Sequence, residues 1–267
     1  MKSLSDLVVL IRGAGELASG VAHRLHSSHF RICLTDIDQP QAVRREVSFC
    51  EAVYDGEKIV EGVKARLVTS PEKIPPAWQK GEIPLLVDRE AEIRHSLKPD
   101  VLVDAILAKK NLGTHLEDAL LVIGLGPGFM VKKDVHVVIE TNRGHNLGRM
   151  LLTGEAELNT GVPGEIAGFA ADRVCRSSGA GKFLNVKRIG DFVQAGDVVA
   201  TVNNDPVKAL ISGVVRGLLR DGTEVYQGMK AGDIDPRGKK ENCYSISDKA
   251  RAIGGGVLEA IMYHFNR

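Results

Sequence analysis

The chain has 267 residues, with 35 Lys+Arg against 34 Asp+Glu and only 4% aromatic residues. So small a net charge and so few rings leave no basic field for nucleic acid or an anionic membrane, and no stacking platform for bases. No apolar run reaches a membrane span, and the five apolar residues that follow Lys2 and a polar stretch are too few for a signal-peptide core.

The four cysteines, Cys33, Cys50, Cys175 and Cys243, include no C-x-x-C pair, which predicts a reduced, cytoplasmic protein. A homo-oligomer is expected, with neither nucleic acid nor membrane as a partner.

In chain order, the apolar residues 7–11 predict a first strand that runs into the turn Gly13-Ala14-Gly15. A helix follows, with Leu17, Val21 and Leu25 every four residues along one apolar face. Strand, glycine turn and helix in that order are the start of a dinucleotide-binding unit. Gly13 allows the tight turn, Gly15 lets backbone approach a pyrophosphate, and Ala18 fills the third, close-packing position. Residues 30–36 read as a second strand ending in Asp36, 23 residues after Gly13, where an acid would meet a ribose hydroxyl. Glu16 opposes this reading, because a carboxylate in the first helical turn competes with phosphate by roughly 0.3–1 kcal/mol. The stretch is nonetheless similar to the G-x-G-E-x-G of NAD-binding regulatory domains in potassium transport. A turn that binds nothing is the alternative.

Apolar runs at 64–68, 83–88, 100–106, 120–123 and 134–140 then predict further strands, with a helix over 89–97 and a glycine turn at 124–128. Such alternation predicts a parallel sheet covered on both faces. The expected fold is therefore α/β: a Rossmann-like nucleotide-binding domain over 1–158, then a linker helix, a small β module at about 183–235 and a C-terminal helix within 159–267. The linker helix, 166–176, holds Cys175.

The β module carries a repeat. G-x-x-V-x-x-G occurs as Gly190, Val193, Gly196 and again as Gly222, Val225, Gly228, a constant 32 residues on. The pattern resembles the barrel-sandwich hybrid of biotinyl and lipoyl domains. Its hairpin tip is Asn203-Asn204-Asp205-Pro206, and Lys208 falls on the next strand, which argues for a structural or docking module over a swinging-arm carrier. Ser247 predicts the N-cap of the last helix, which contains Gly254-Gly255-Gly256. Those glycines imply close approach of backbone or ligand, or a helix that begins only at Val257.

Polar density at 140–149 supplies Arg143, His145 and Arg149 as a second wall for phosphate or carboxylate oxygens. His145 is a candidate acid or base. Arg44 and Arg45 lie just past Asp36 and read as an anion contact or a surface charge pair. Asp233 and Asp235, spaced i, i+2, are candidate metal ligands, although an ion-paired turn with Arg237 is the commoner outcome and no metal is expected. Cys243, close to Lys239 and Lys240, is the candidate reactive thiol, since cationic neighbours lower a thiol pKa.

Five stretches, I-R-G-A-G-E-L-A-S-G-V-A-H-R-L (11–25), V-R-R-E-V-S-F-C-E-A-V-Y-D-G (43–56), V-I-G-L-G-P-G-F (122–129), E-T-N-R-G-H-N-L-G-R (140–149) and G-D-I-D-P-R (232–237), look like the YqeB family across nearly the whole chain. That family is named for maturation of selenium-dependent molybdenum hydroxylases. The resemblance implies an accessory factor that handles a molybdopterin-type cofactor or its dinucleotide and meets a hydroxylase or its maturation machinery. It assigns no catalytic residue. NAD-like and FAD-like dinucleotides also suit the glycine turn, since both carry a pyrophosphate. An NAD(P)-dependent oxidoreductase and a non-catalytic scaffold are the alternatives.

Overall fold

The computed structural model describes residues 3–159 and 161–266, so Met1, Lys2, Thr160 and Arg267 lie outside the described residues. The fold is mixed α/β with a large sheet and a C-terminal helix, in two compact units. One comprises Met1–Pro40, Ser48–Asn159 and Ile246–Arg267; the other comprises Gln41–Val47 and Thr160–Ser245.

The first unit contains β1 (Val8–Arg12), α1 (Glu16–Ser27), β2 (Arg31–Asp36), α2 (Ala52–Asp55), β3 (Glu57–Val60), β4 (Val63–Leu67), α3 (Ile74–Gln79), β5 (Ile83–Val87), α4 (Arg94–Leu97), β6 (Val101–Asp104), β7 (Leu121–Leu125), β8 (Val137–Ile139), β9 (Met150–Leu151) and α5 (Asp248–Phe265). Its strands form one nine-stranded sheet in the order β3-β4-β5-β2-β1-β6-β7-β8-β9. Pairing is parallel from β4 to β8, and antiparallel β3 and β9 close the two edges. The central strands are buried on both faces, which explains their near-continuous apolar sequence.

Burial of α1 is tightest along Gly20, where a Cβ would stand 2.7 Å from the Ala250 Cβ. A Cβ on Gly254 would stand 3.0 Å from the Gly20 carbonyl oxygen, and one on Gly256 would strike the Gly148 carbonyl. Gly254 and Gly256 therefore let α5 lie against the backbones of α1 and the 144–148 loop. The glycine triplet does not break the helix: α5 runs unbroken from its N-cap Ser247, whose side chain accepts from the Ala250 N–H. The sequence grouped this helix with 159–245, but its contacts place it in the first unit. Helix 89–97 shrinks to α4.

The second unit contains β10 (Val174–Arg176), β11 (Gly181–Asn185), β12 (Phe192–Val193), β13 (Val198–Val202), β14 (Asp205–Lys208), β15 (Gly213–Leu218), β16 (Thr223–Val225) and β17 (Lys230–Asp235). They form two antiparallel sheets, β10-β17-β15-β12 and β14-β13-β11-β16. The predicted linker helix is absent: residues 161–173 are turns plus one bridge between Ile166 and Phe169, and Cys175 lies on β10. Helical composition lost here to strand pairing with β17, a long-range contact that no local pattern carries.

The 32-residue repeat extends well beyond its two glycine motifs. Gly190 N–H donates to Val215 O and Gly222 N–H to Phe183 O, both at 2.8 Å; Phe183 and Val215 are themselves 32 apart. The same exchange relates Gly196→Ala209 and Gly228→Ser177. Each copy thus bonds to the other, and residues 177–202 and 209–234 form a two-fold pair. Their equivalent side chains, Phe183 and Val215, Val193 and Val225, Val202 and Ile234, build one core. Asn203 and Asn204, both at positive φ, form the β13–β14 turn, and Lys208 is an exposed strand residue.

Candidate functional site

The carboxyl ends of β2, β1, β6 and β7 lie side by side, and the chain diverges there, β2 to one side of β1 and β6 to the other. Open α/β sheets bind ligands at this kind of switch point. Gly13 adopts φ +95°, which glycine tolerates, and packs against the Ala105 carbonyl. Gly15 differs. Its φ of −68° suits any residue, and apart from its own chain neighbours nothing lies within 4 Å of where its Cβ would be. It is the N-cap of α1, where Ser or Asp would cap better, yet it offers no side chain.

The turn is held from three sides. Ser19 Oγ and the Cys50 N–H both donate to the Ala14 carbonyl, at 3.0 and 2.8 Å. Asp36 accepts from the Ala14 N–H through Oδ2 and from the Ile37 N–H through Oδ1, both at 2.8 Å. Burial raises the Asp36 carboxyl above its ordinary pKa, outweighing the two amide hydrogen bonds. Asp36 is thus where the spacing placed it, but both oxygens are engaged in shaping the turn. Ala18 is buried at the helix base as expected. Glu16 accepts from Ser247 Oγ at 2.8 Å, which ties the glycine turn to the start of α5.

Arg143 makes a two-pronged ion pair with Asp248, at 2.6 and 2.8 Å. The start of α5 therefore joins the glycine turn to the 140–149 loop. Buried Glu140 accepts from the Asn142 and Glu157 N–H groups, and Glu157 accepts from Asn142 and Asn146. Arg149 is exposed and donates to Asn146 Oδ1 at 3.2 Å; His145 is exposed. The loop is built chiefly to hold its own shape.

A cluster missed from sequence lies between β1 and β6. Arg12 and Asp104 are register partners at the last residues of those strands, 3% and 2% exposed. Arg12 Nη1 donates to Thr114 Oγ1 at 2.6 Å and Nη2 to the Leu112 carbonyl at 3.2 Å. Since arginine only donates, the Thr114 hydroxyl accepts from Arg12 and donates its own hydrogen bond to Asp104 Oδ2, 2.6 Å away. Burial raises the Asp104 carboxyl, against the pull of Thr114 and Arg12. Arg12 Nε is buried without an acceptor. One available signal was a charged residue closing each of two apolar strands, I-R before the glycine turn and V-D before Ala105.

The other sequence candidates have structural partners in the second unit. Arg173 pairs with Asp233, while Arg237 donates to both oxygens of Asp235, at 2.9 and 2.6 Å. Arg216 lies 3.8 and 3.9 Å from the two carboxylates. Burial pushes the Asp235 carboxyl up, but Arg237 outweighs it and leaves the pKa below the ordinary value. Among the described residues no group of three or more His, Cys, Asp or Glu is placed to hold a metal ion.

Arg44 donates to the carbonyls of Asn242 and Ser245, and Arg45 to that of Leu218. They fasten 41–47 into the second unit. Cys243 is buried among cationic neighbours. Burial raises its pKa despite Arg44, Arg216 and Lys240, because desolvation of a thiolate exceeds those attractions. All four cysteines are buried, and Cys175 is pushed up to about 12 by burial.

No family model matches the chain. It is 51% identical over 255 residues to a protein of Escherichia coli K12 called "Uncharacterized protein YqeB", covering 96% of this chain. This supports the YqeB resemblance. The chain spans about half, 47%, of that relative. Among solved structures, product-bound ectoine utilization protein EutE (DoeB) of Ruegeria pomeroyi aligns over 86% of this chain and 85% of its own, at 14% identity and TM-score 0.25. An aspartoacylase family protein of Mesorhizobium loti aligns over 86% and 84%, at 9% identity and TM-score 0.25. No helix among the described residues is long and apolar enough to cross a membrane.

Proposed function

We propose that the first unit is a Rossmann-like site for a pyrophosphate-bearing cofactor, NAD-like, FAD-like or a molybdopterin dinucleotide. The chain would use it as an accessory factor in maturation of selenium-dependent molybdenum hydroxylases. The observation that carries the binding reading is Gly15: neither its backbone angle nor any protein neighbour calls for glycine, so its bareness favours an outside group approaching the turn. Strand order β5-β2-β1-β6-β7-β8, with the turn at the end of central β1, supports the same reading. The maturation role rests on the YqeB resemblance alone. In this reading the second unit is a barrel-sandwich-hybrid-like docking module, supported by its two-fold pairing.

Native mass spectrometry with NAD, NADP, FAD, CDP and pterin dinucleotides tests the proposal. The expected result is one dinucleotide adduct, lost in Gly15→Asp while the thermal midpoint is kept. A pterin dinucleotide adduct supports the maturation role. Unchanged affinity in a folded Gly15→Asp variant sinks the binding site. Nicotinamide binding with turnover of a carbonyl substrate shifts the reading to an oxidoreductase, for which the 140–149 loop supplies only His145.

A further inference from the structure

Resting on that binding site, we propose that the ligand's phosphate charge is met by Lys110, carried on the loop 105–114, and not by Arg143. The loop begins against the first glycine turn, where Gly13 packs on the Ala105 carbonyl and Ile106 N–H. It then lies on the second: a Cβ on Gly128 would stand 2.6 Å from the backbone nitrogen of Lys110. One loop backbone therefore bridges both glycine turns at the carboxyl edge.

The chain holds this loop at a cost. Leu107 and Lys109 both have left-handed backbones, φ 62° and 63°, which non-glycine residues avoid. Asn111 and Thr114 exchange two hydrogen bonds of 2.8 Å, and Thr114 is clamped between Arg12 and Asp104. Arg12, buried to 3% exposure, spends Nη1 and Nη2 on the loop and leaves Nε without an acceptor at the switch point. All this ordering surrounds an exposed segment that carries Lys109 and Lys110.

The competing cations are differently placed. Arg143 is bound by Asp248, and Glu16 puts a negative charge in the first turn of α1. With Arg143 so held and Glu16 in that turn, in this proposal the added cation is Lys110, exposed on the loop that packs against both glycine turns.

Calorimetric titration with ADP and with inorganic pyrophosphate, at low and high salt, tests this on the full chain. Lys110→Glu is expected to weaken ADP binding by about tenfold or more and to flatten its salt dependence. Lys110→Arg should restore binding, and Arg143→Ala should leave it within about twofold. Loss in Gly15→Asp but not in Lys110→Glu overturns the lysine assignment and keeps the glycine-turn site. Loss in Lys110→Glu but not in Gly15→Asp keeps the lysine and overturns the turn. Failure of the wild-type chain to bind either probe overturns both.

Discussion

In the second unit Asp233 and Asp235 are each matched to arginine side chains, and two copies of one repeat close a shared core around Phe183, Val215 and Ile234. In the first unit the charged residues lie at one edge of the sheet: Asp36 shapes a turn, Arg12 and Asp104 clamp a loop, and Gly15 faces open space. Both units bury charge, but they spend it differently. A buried carboxylate matched by guanidinium groups explains itself as architecture. A bare glycine beside an ordered, strained loop points outward, to something the chain is shaped to meet.

The largest way to test this contrast is Asp233→Ala. It leaves Arg173 and Arg216 buried without their shared carboxylate, and should cost about 3–5 kcal/mol in denaturant unfolding. A loss below about 1 kcal/mol would mean that the cluster is not structural. Next come two neighbouring glycines of α5. Gly256→Ala, which drives a methyl onto the Gly148 carbonyl, should destabilise by about 1–3 kcal/mol. Gly255→Ala, with nothing within 4 Å, should stabilise by up to about 1 kcal/mol. Equal effects would remove the close approach between α5 and the 144–148 loop.

The two carboxylates Asp36 and Asp235 should separate in a carboxyl NMR titration. Burial raises Asp36, so its contribution to stability is complete below the unfolded value of about 3.9 and is lost as pH rises through the folded value. Asp235 is lowered, because Arg237 outweighs burial, so its contribution is present above about 3.9 and lost as pH falls through the folded value. Titration of both at the same pH would contradict the different environments. The smallest effect is expected from Gly15→Ser, which should gain a few tenths of a kcal/mol by capping α1 and yet weaken dinucleotide binding. Improved or unchanged binding with that gain would leave Gly15 as an ordinary N-cap.

Much of the first unit was legible locally. The apolar runs gave β1, β2, β5, β6 and β7, the glycine spacing gave the turn, and Ser247 gave the start of α5. The short pairs β3 and β9 were not legible, because edge strands of mixed polarity carry no strong period. For the site, Gly13, Gly15 and Asp36 followed from spacing along β1, α1 and β2. Arg12, Asp104 and Thr114 did not, since the first and last are 102 positions apart and meet only when β6 pairs with β1. Cys243 shows the same limit: its cationic neighbours are real, but burial decides its pKa.

The alternation of strands and helices, the glycine turn and the 32-residue repeat are all local properties, because periodicity and turn chemistry act over a few residues at a time. Long-range packing alone makes the repeat pair with itself by exchange, joins 41–47 to the second unit and 246–266 to the first, and sets Gly254 of α5 against the backbone of α1. Those outcomes depend on which buried surfaces meet and which polar groups then find partners, and such contacts join residues far apart in the chain.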